Sequence, residues 1–212
     1  MQSHWLDIFH VLDSSFPTGA YVHSFGLESF AGAPDALETV LRLRIAQSLA
    51  RLELVFVRYA FTGDLMELDA RFHVLQLVRE PRVASMAIGT SLLRSASDIL
   101  SDGRVHEFLR HGVHHHHPIV FGAVAAACQM PVDLALETYA FGSVRGQVSA
   151  AQRLGWIGQR DAQRILHHLK PCVVAAAHTS RQTDLDAAGA FTPLWDIACM
   201  AHERAEARMF AS

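Results

Sequence analysis

The chain has 212 residues, half of them hydrophobic, enough to bury a substantial core within one domain. Its 18 basic and 21 acidic residues leave a formal charge of -3, and Lys170 is the only lysine. That balance excludes a polyanion binder, whose affinity comes from many clustered cations displacing counterions. Charged residues make up 18% of the chain, below the roughly 25% usual for soluble domains, and mean hydropathy is +0.17. Two readings follow: a large Ala-rich core, or apolar surface that a partner covers.

The opening "MQSHWLDIFHVLDSSF" has no basic leader and no uninterrupted apolar segment, so no signal peptide is expected. Pro17 and Gly19 end this first helical stretch. In "PDALETVLRLRIAQSLARLELVFVRYAFTGD", residues Leu37, Leu41, Ile45, Leu49, Leu52, Phe56 and Tyr59 recur every three or four positions and predict one apolar helix stripe. Asp35 with Glu38 resembles a capping-box start, and Gly63 stops the run. Asp64 with Glu67 repeats that start before "DLMELDARFHVLQLV".

Pro81, Pro118 and Pro193 stand where proline suits a first helical turn, Pro193 after a candidate cap at Thr192. "PVDLALETYAFGSVRGQVSAAQRL" and "DAQRILHHLKPCVVAAAHTS" are apolar on a helical period, with Pro171 a candidate kink in the second. Small-residue clusters in "FGAVAAAC" and "VVAAAHTS" permit close backbone approach, for core packing or for self-association. No stretch alternates with period two. The expected fold is all-α: a single-domain bundle of about eight to ten helices over 1–212, with a C-terminal helix over 192–212. The longest apolar runs contain Gly or end at Pro and fall short of the ~20 residues that cross a bilayer, and the cytoplasm is the expected compartment.

Chemical motifs are sparse. Lys170 lies in "HHLKPC", away from any glycine-rich turn, so there is no P-loop. There is no G-x-S-x-G elbow, and Cys128, Cys172 and Cys199 form no C-x-x-C pair. "HERAE" resembles half of a zincin helix: His202 and Glu206 can share an ion or lie on a solvated helix face. In "HGVHHHHPIV", His114, His115, His116 and His117, with His111, are candidate metal ligands, since imidazole suits nickel, zinc and copper. His117 precedes Pro118 and is expected to be non-helical, which makes the run an extended surface loop of weak metal specificity.

The densest pattern is "FPTGAYVHSFGLES": Phe16, Pro17, Gly19, Ala20, Tyr21, His23, Ser24, Gly26, Leu27 and Glu28. It resembles the N-terminal signature of the urease accessory protein family UreF. The likeness continues through His116, Pro118, Phe121 and Gly122, then Ser149, Ala150, Arg153, Leu154, Gly158, Gln159, Gln163 and Arg164, and ends with His202, Glu203, Arg208, Phe210 and Ser212. Met209 and Ala211 depart from the family's usual leucine and arginine.

The resemblance implies an all-helical, non-catalytic, cytoplasmic and often homodimeric protein without cofactor. Such proteins bridge UreD (UreH) and the GTPase UreG while nickel, brought by a carrier, UreE, is loaded into apo-urease. Partner-binding residues carried over are Phe16, Pro17, Gly19, Tyr21, His23, Ser24, Gly26, Glu28, Arg153, Gln159, Arg208, Phe210 and Ser212. Phe16, Tyr21 and Phe210 are expected as apolar anchors, although Phe210 can equally pack on its own core. The alternative from another class is a histidine-rich nickel carrier or a metal-dependent hydrolase.

Overall fold

The computed structural model describes residues 4–30, 33–206 and 208–212, without the side chains of 33–35. The expected cap at Asp35 therefore lies outside the described side chains. The described residues form α-helices and short 3-10 turns with no strand, as the periodicity predicted. The α-helices are α1 (His4–Leu12), α2 (Ala33–Arg44), α3 (Leu54–Tyr59), α4 (Leu65–Leu75), α5 (Arg79–Ile99), α6 (Gly103–His111), α7 (His117–Ala127), α8 (Val132–Arg153), α9 (Gln159–Gln182) and α10 (Pro193–His202).

Between α2 and α3, Ile45–Glu53 is a π-helical stretch that joins them into one rod. The predicted stripe lines its inner side: Leu37, Leu41, Ile45, Leu49, Leu52 and Phe56 are all buried, and Tyr59 is partly so. The widened turn was not foreseen. It is common near functional sites, and here it sets Arg44 and Glu53 at its two ends.

Helix α7 is the central member, and Pro118 to Ala125 are all buried. A helix apolar on every side must be enclosed, and α3, α5, α6 and α8 surround it. Close approach depends on glycine. A Cβ at Gly122 would overlap the Val57 carbonyl on α3 and lie 2.7 Å from Ala60 Cβ. The small-residue cluster thus serves core packing. One hydrophobic cluster runs from Ile8 to Phe210.

Several local signals hold. The Asp64 carboxylate accepts the Met66 and Glu67 amides at 2.9 and 3.1 Å and caps α4. Helix α9 runs through Pro171. Others differ. The hydroxyl of Thr192 faces Asp196 and makes no backbone cap. The last helix stops at His202, and residues 203–206 and 208–212 are irregular, with the groups of Arg208, Met209 and Phe210 drawn inward by Glu28 and Glu80. Among the described residues no helix is long and apolar enough to cross a membrane.

Candidate functional site

The signature segment is a double turn. Gly19 and Gly26 adopt positive φ of 71° and 84°, each opening a 3-10 turn, Ala20–Val22 and Leu27–Ser29. Phe25 also has a positive φ, 52°, which is uncommon and costly for an aromatic residue. Its carbonyl is held by Trp195 Nε1 at 2.7 Å. Gly26 is required by contact as well as by torsion, since a Cβ there would overlap Cys199 Sγ.

The chain's far end closes over this segment as a latch. Glu28 accepts the Met209 amide at 2.8 Å and the Phe210 amide at 3.1 Å. The Ser212 carbonyl accepts from the Phe25 amide at 2.9 Å and the Ser24 hydroxyl at 2.8 Å, while His23 Nδ1 meets Ser212 Oγ at 2.8 Å. Beneath these contacts lies His202, fully buried, with Nε2 3.0 Å from Glu28 and Nδ1 2.9 Å from Glu80. Arg208 adds a bond to Glu80 at 3.0 Å. Burial works to raise the Glu28 carboxyl, but the Met209 amide, the His202 ring and the Phe210 amide outweigh it and hold the acid below its ordinary 4.5.

This geometry corrects several expectations. Phe16 and Phe210 are buried within the chain at 7% and 4% exposure, so both pack on its own core; of the two expected uses of Phe210, this is the second. The Arg153 guanidinium covers the Phe210 ring at 4.3 Å. Tyr21 alone among the three aromatics stands out, 73% exposed. His202 does not share a solvated face with Glu206: its helix ends there and its ring is enclosed. Gln159 is exposed and accepts from Gln152 at 2.6 Å. Pro17 and Ala211 are exposed, so the arginine missing at 211 is a charge absent from the surface.

Behind the latch, a cavity of about 90 Å³ is lined by Arg44, Glu53, His117, Tyr139, Trp195 and Asp196. Arg44 lies 3.6 Å from Glu53 Oε1, donates to Gln147 Oε1 at 3.0 Å, and stacks between Phe25 and Trp195. Glu53 Oε2 and Gln147 Nε2 have no partner among the described residues. Burial lifts the Glu53 carboxyl despite Arg44, and takes His117 down to about 4. A larger, more open hollow of about 530 Å³ adjoins it, sharing Phe25, His117, Tyr139 and Ser143 as walls.

The histidine run is also more interior than expected. Helix α7 begins at His117 itself; the extended residue is His116, with ψ 137°. His116 is fully buried, and His114, His115 and His117 are partly so. The buried Asp69 carboxylate gathers the amides of His114, His115 and His116 at 2.7–2.9 Å. The four rings diverge: His115 bonds the Phe108 carbonyl, His117 packs on Tyr139, and His114 and His116 approach His73 of α4. Among the described residues no group of three or more His, Cys, Asp or Glu is placed to hold a metal ion. Burial also raises the Cys128 and Cys199 thiols to about 11 and 12, which leaves both poor nucleophiles.

The sequence model of UreF matches residues 32–170. The chain belongs to the UreF family. It is 32% identical to "Urease accessory protein UreF" of Paenarthrobacter aurescens (strain TC1), over 98% of this chain and 97% of that relative. It is 30% identical to the protein of that name from Arthrobacter sp. (strain FB24), over 99% and 98% of the two chains, and 28% to that of Bacillus sp. (strain TB-90), over 98% of each. The family match begins after the signature segment, but these relatives span it. Family membership makes this an accessory protein of urease by kinship.

Glu80, Arg44, Glu53, Asp69 and His73 were not singled out from sequence. Each lies within an otherwise regular helical pattern, and only a partner distant in sequence gives it a role. A buried acid at a core-facing helical position, as at Asp69, was the one signal available.

Proposed function

We propose that this chain is a non-catalytic scaffold of urease maturation that bridges UreD (UreH) and the GTPase UreG during nickel loading of apo-urease, and that it acts on UreG's nucleotide cycle. The reading includes a cytoplasmic setting and a homodimer. One observation carries it. Helix α1, which precedes the signature segment, and α10, which packs on its second turn, present large apolar side chains to solvent: Trp5, Leu6 and Phe9 on α1, and Leu194, Ile197 and Met200 on α10, each at least half exposed. Apolar residues recurring at one helix face and left uncovered mark a docking surface. Tyr21, exposed on the first turn of the signature segment, is a further candidate hot spot, while the latch residues act by shaping the loop.

The test is urease activation in cells lacking the native family member, complemented with this chain or with its Leu194→Asp/Ile197→Asp variant. Wild-type chain restores activation and co-purifies with UreD; the folded variant does neither. Full activation by the variant would refute the assignment of this face.

A further inference from the structure

His73 and His116 face one another across the α4–α7 junction, His73 Nδ1 lying 3.1 Å from His116 Nε2. A ring on His114 stacks on His73 at 3.7 Å between centroids and lies 5.8 Å from His116, which itself is 5.3 Å from His73. We propose that this pair is a binding site for a borderline-soft divalent metal ion of the zinc, cobalt and nickel class, with His114 able to swing in as a third ligand and water completing the shell. The proposal rests on imidazole geometry and stands independently of the scaffold reading.

The spacing favours it. Two nitrogens each about 2.0–2.1 Å from one ion and 3.1 Å apart subtend an angle of roughly 100°, between octahedral and tetrahedral values. Imidazoles sharing such an ion keep their centroids roughly 5 Å apart, near the separations from His116; only the stacked His73–His114 pair must open.

The supporting residues are those a ligand pair needs. The other nitrogen of His116, Nδ1, is 3.1 Å from Ser85 Oγ, a contact that fixes the ring and leaves Nε2 to face the ion. Asp69 fastens the loop by three amides, and its negative charge lies close by. Gly89 on α5 permits the loop to press against that helix, where a Cβ would overlap the His115 carbonyl. Arg82 is the opposing influence, a cation near both rings that repels a bound ion. Without the ion His73 Nδ1–H donates to His116 Nε2; when the ion binds, His73 takes the tautomer with its proton on Nε2, so both rings stay neutral and both facing nitrogens offer lone pairs.

Tag-free protein is titrated with Ni²⁺, Zn²⁺ and Co²⁺ by calorimetry, with the Co²⁺ ligand-field spectrum and the ¹⁵N signals of the imidazoles followed in parallel. One ion per chain is expected, with the largest shifts at His73 and His116. His73→Gln, at a partly exposed position, should weaken binding at least tenfold, and Ser85→Ala about tenfold, as loss of a supporting bond does. His167→Gln/His168→Gln, on the exposed face of α9, should leave affinity unchanged. Undiminished binding by a folded His73→Gln chain, loss of binding in the α9 variant instead, or shifts confined to other histidines would each overturn the site. Should His73→Gln fail to fold, the imidazole signals of the unmodified protein decide the matter.

Discussion

Replacing Gly26 by alanine tests the signature turn at its tightest point. At φ 84° an L-residue costs roughly 1–2 kcal/mol. The new methyl would overlap Cys199 Sγ and approach the Cys199 backbone at 3.2 Å, adding the roughly 1–3 kcal/mol typical of an overfilled core. The sum, about 2–5 kcal/mol, corresponds to roughly 4–20 °C in Tm for a chain of this size. Calorimetric melts and urea titrations read it directly. Cys199→Ala removes the sulfur but not the torsion, so the Gly26→Ala/Cys199→Ala pair should regain about 1–3 kcal/mol relative to additivity. A Gly26→Ala loss under about 1 kcal/mol, or strict additivity of the two changes, would refute the claim that this contact selects glycine.

Glu28→Gln keeps one acceptor but loses the charge that serves two amides and His202, and should cost about 1–3 kcal/mol while raising hydrogen exchange at Met209 and Phe210. Because Glu28 is held below 4.5, its stabilisation is complete above that value and is lost as pH falls through the lower folded value; acid titration followed at the same amides should show the tail releasing only there, and not in the glutamine variant. Glu53 runs the other way. Its raised acid costs stability as pH climbs past 4.5, so Glu53→Gln should match or exceed the parent at pH 7 in urea titrations and lose that advantage as pH drops to 4.5. Phe210→Ala should cost about 3–5 kcal/mol in the same melts, whereas Tyr21→Ala should stay within about 0.5 kcal/mol and act only on partner binding.

Helices were legible because burial imposes a period, and the stripe from Leu37 to Phe56 is buried as its spacing requires. The Asp64 cap was legible for the same reason: its partners lie two and three residues away. Roles fixed by distant partners were not. His202 reads as half a metal motif until Glu28 and Glu80, 174 and 122 residues away, enclose it. Phe16 reads as an exposed anchor, and Phe210 as either anchor or core, because an aromatic in a turn-rich segment carries no periodic sign of which way it faces. The widening at Ile45–Glu53 leaves the apolar spacing nearly unchanged and therefore no trace in the pattern.

The latch also has a consequence in time. Glu28 receives its two amides from residues 181 and 182 positions further along. At roughly 5–20 residues per second, a ribosome takes on the order of 10–40 s to supply them. Through that interval the newborn turn must wait with its carboxylate hydrated and Phe25 free of its unfavourable torsion, so the surface it shapes comes into being only after residues 209 and 210 have been made.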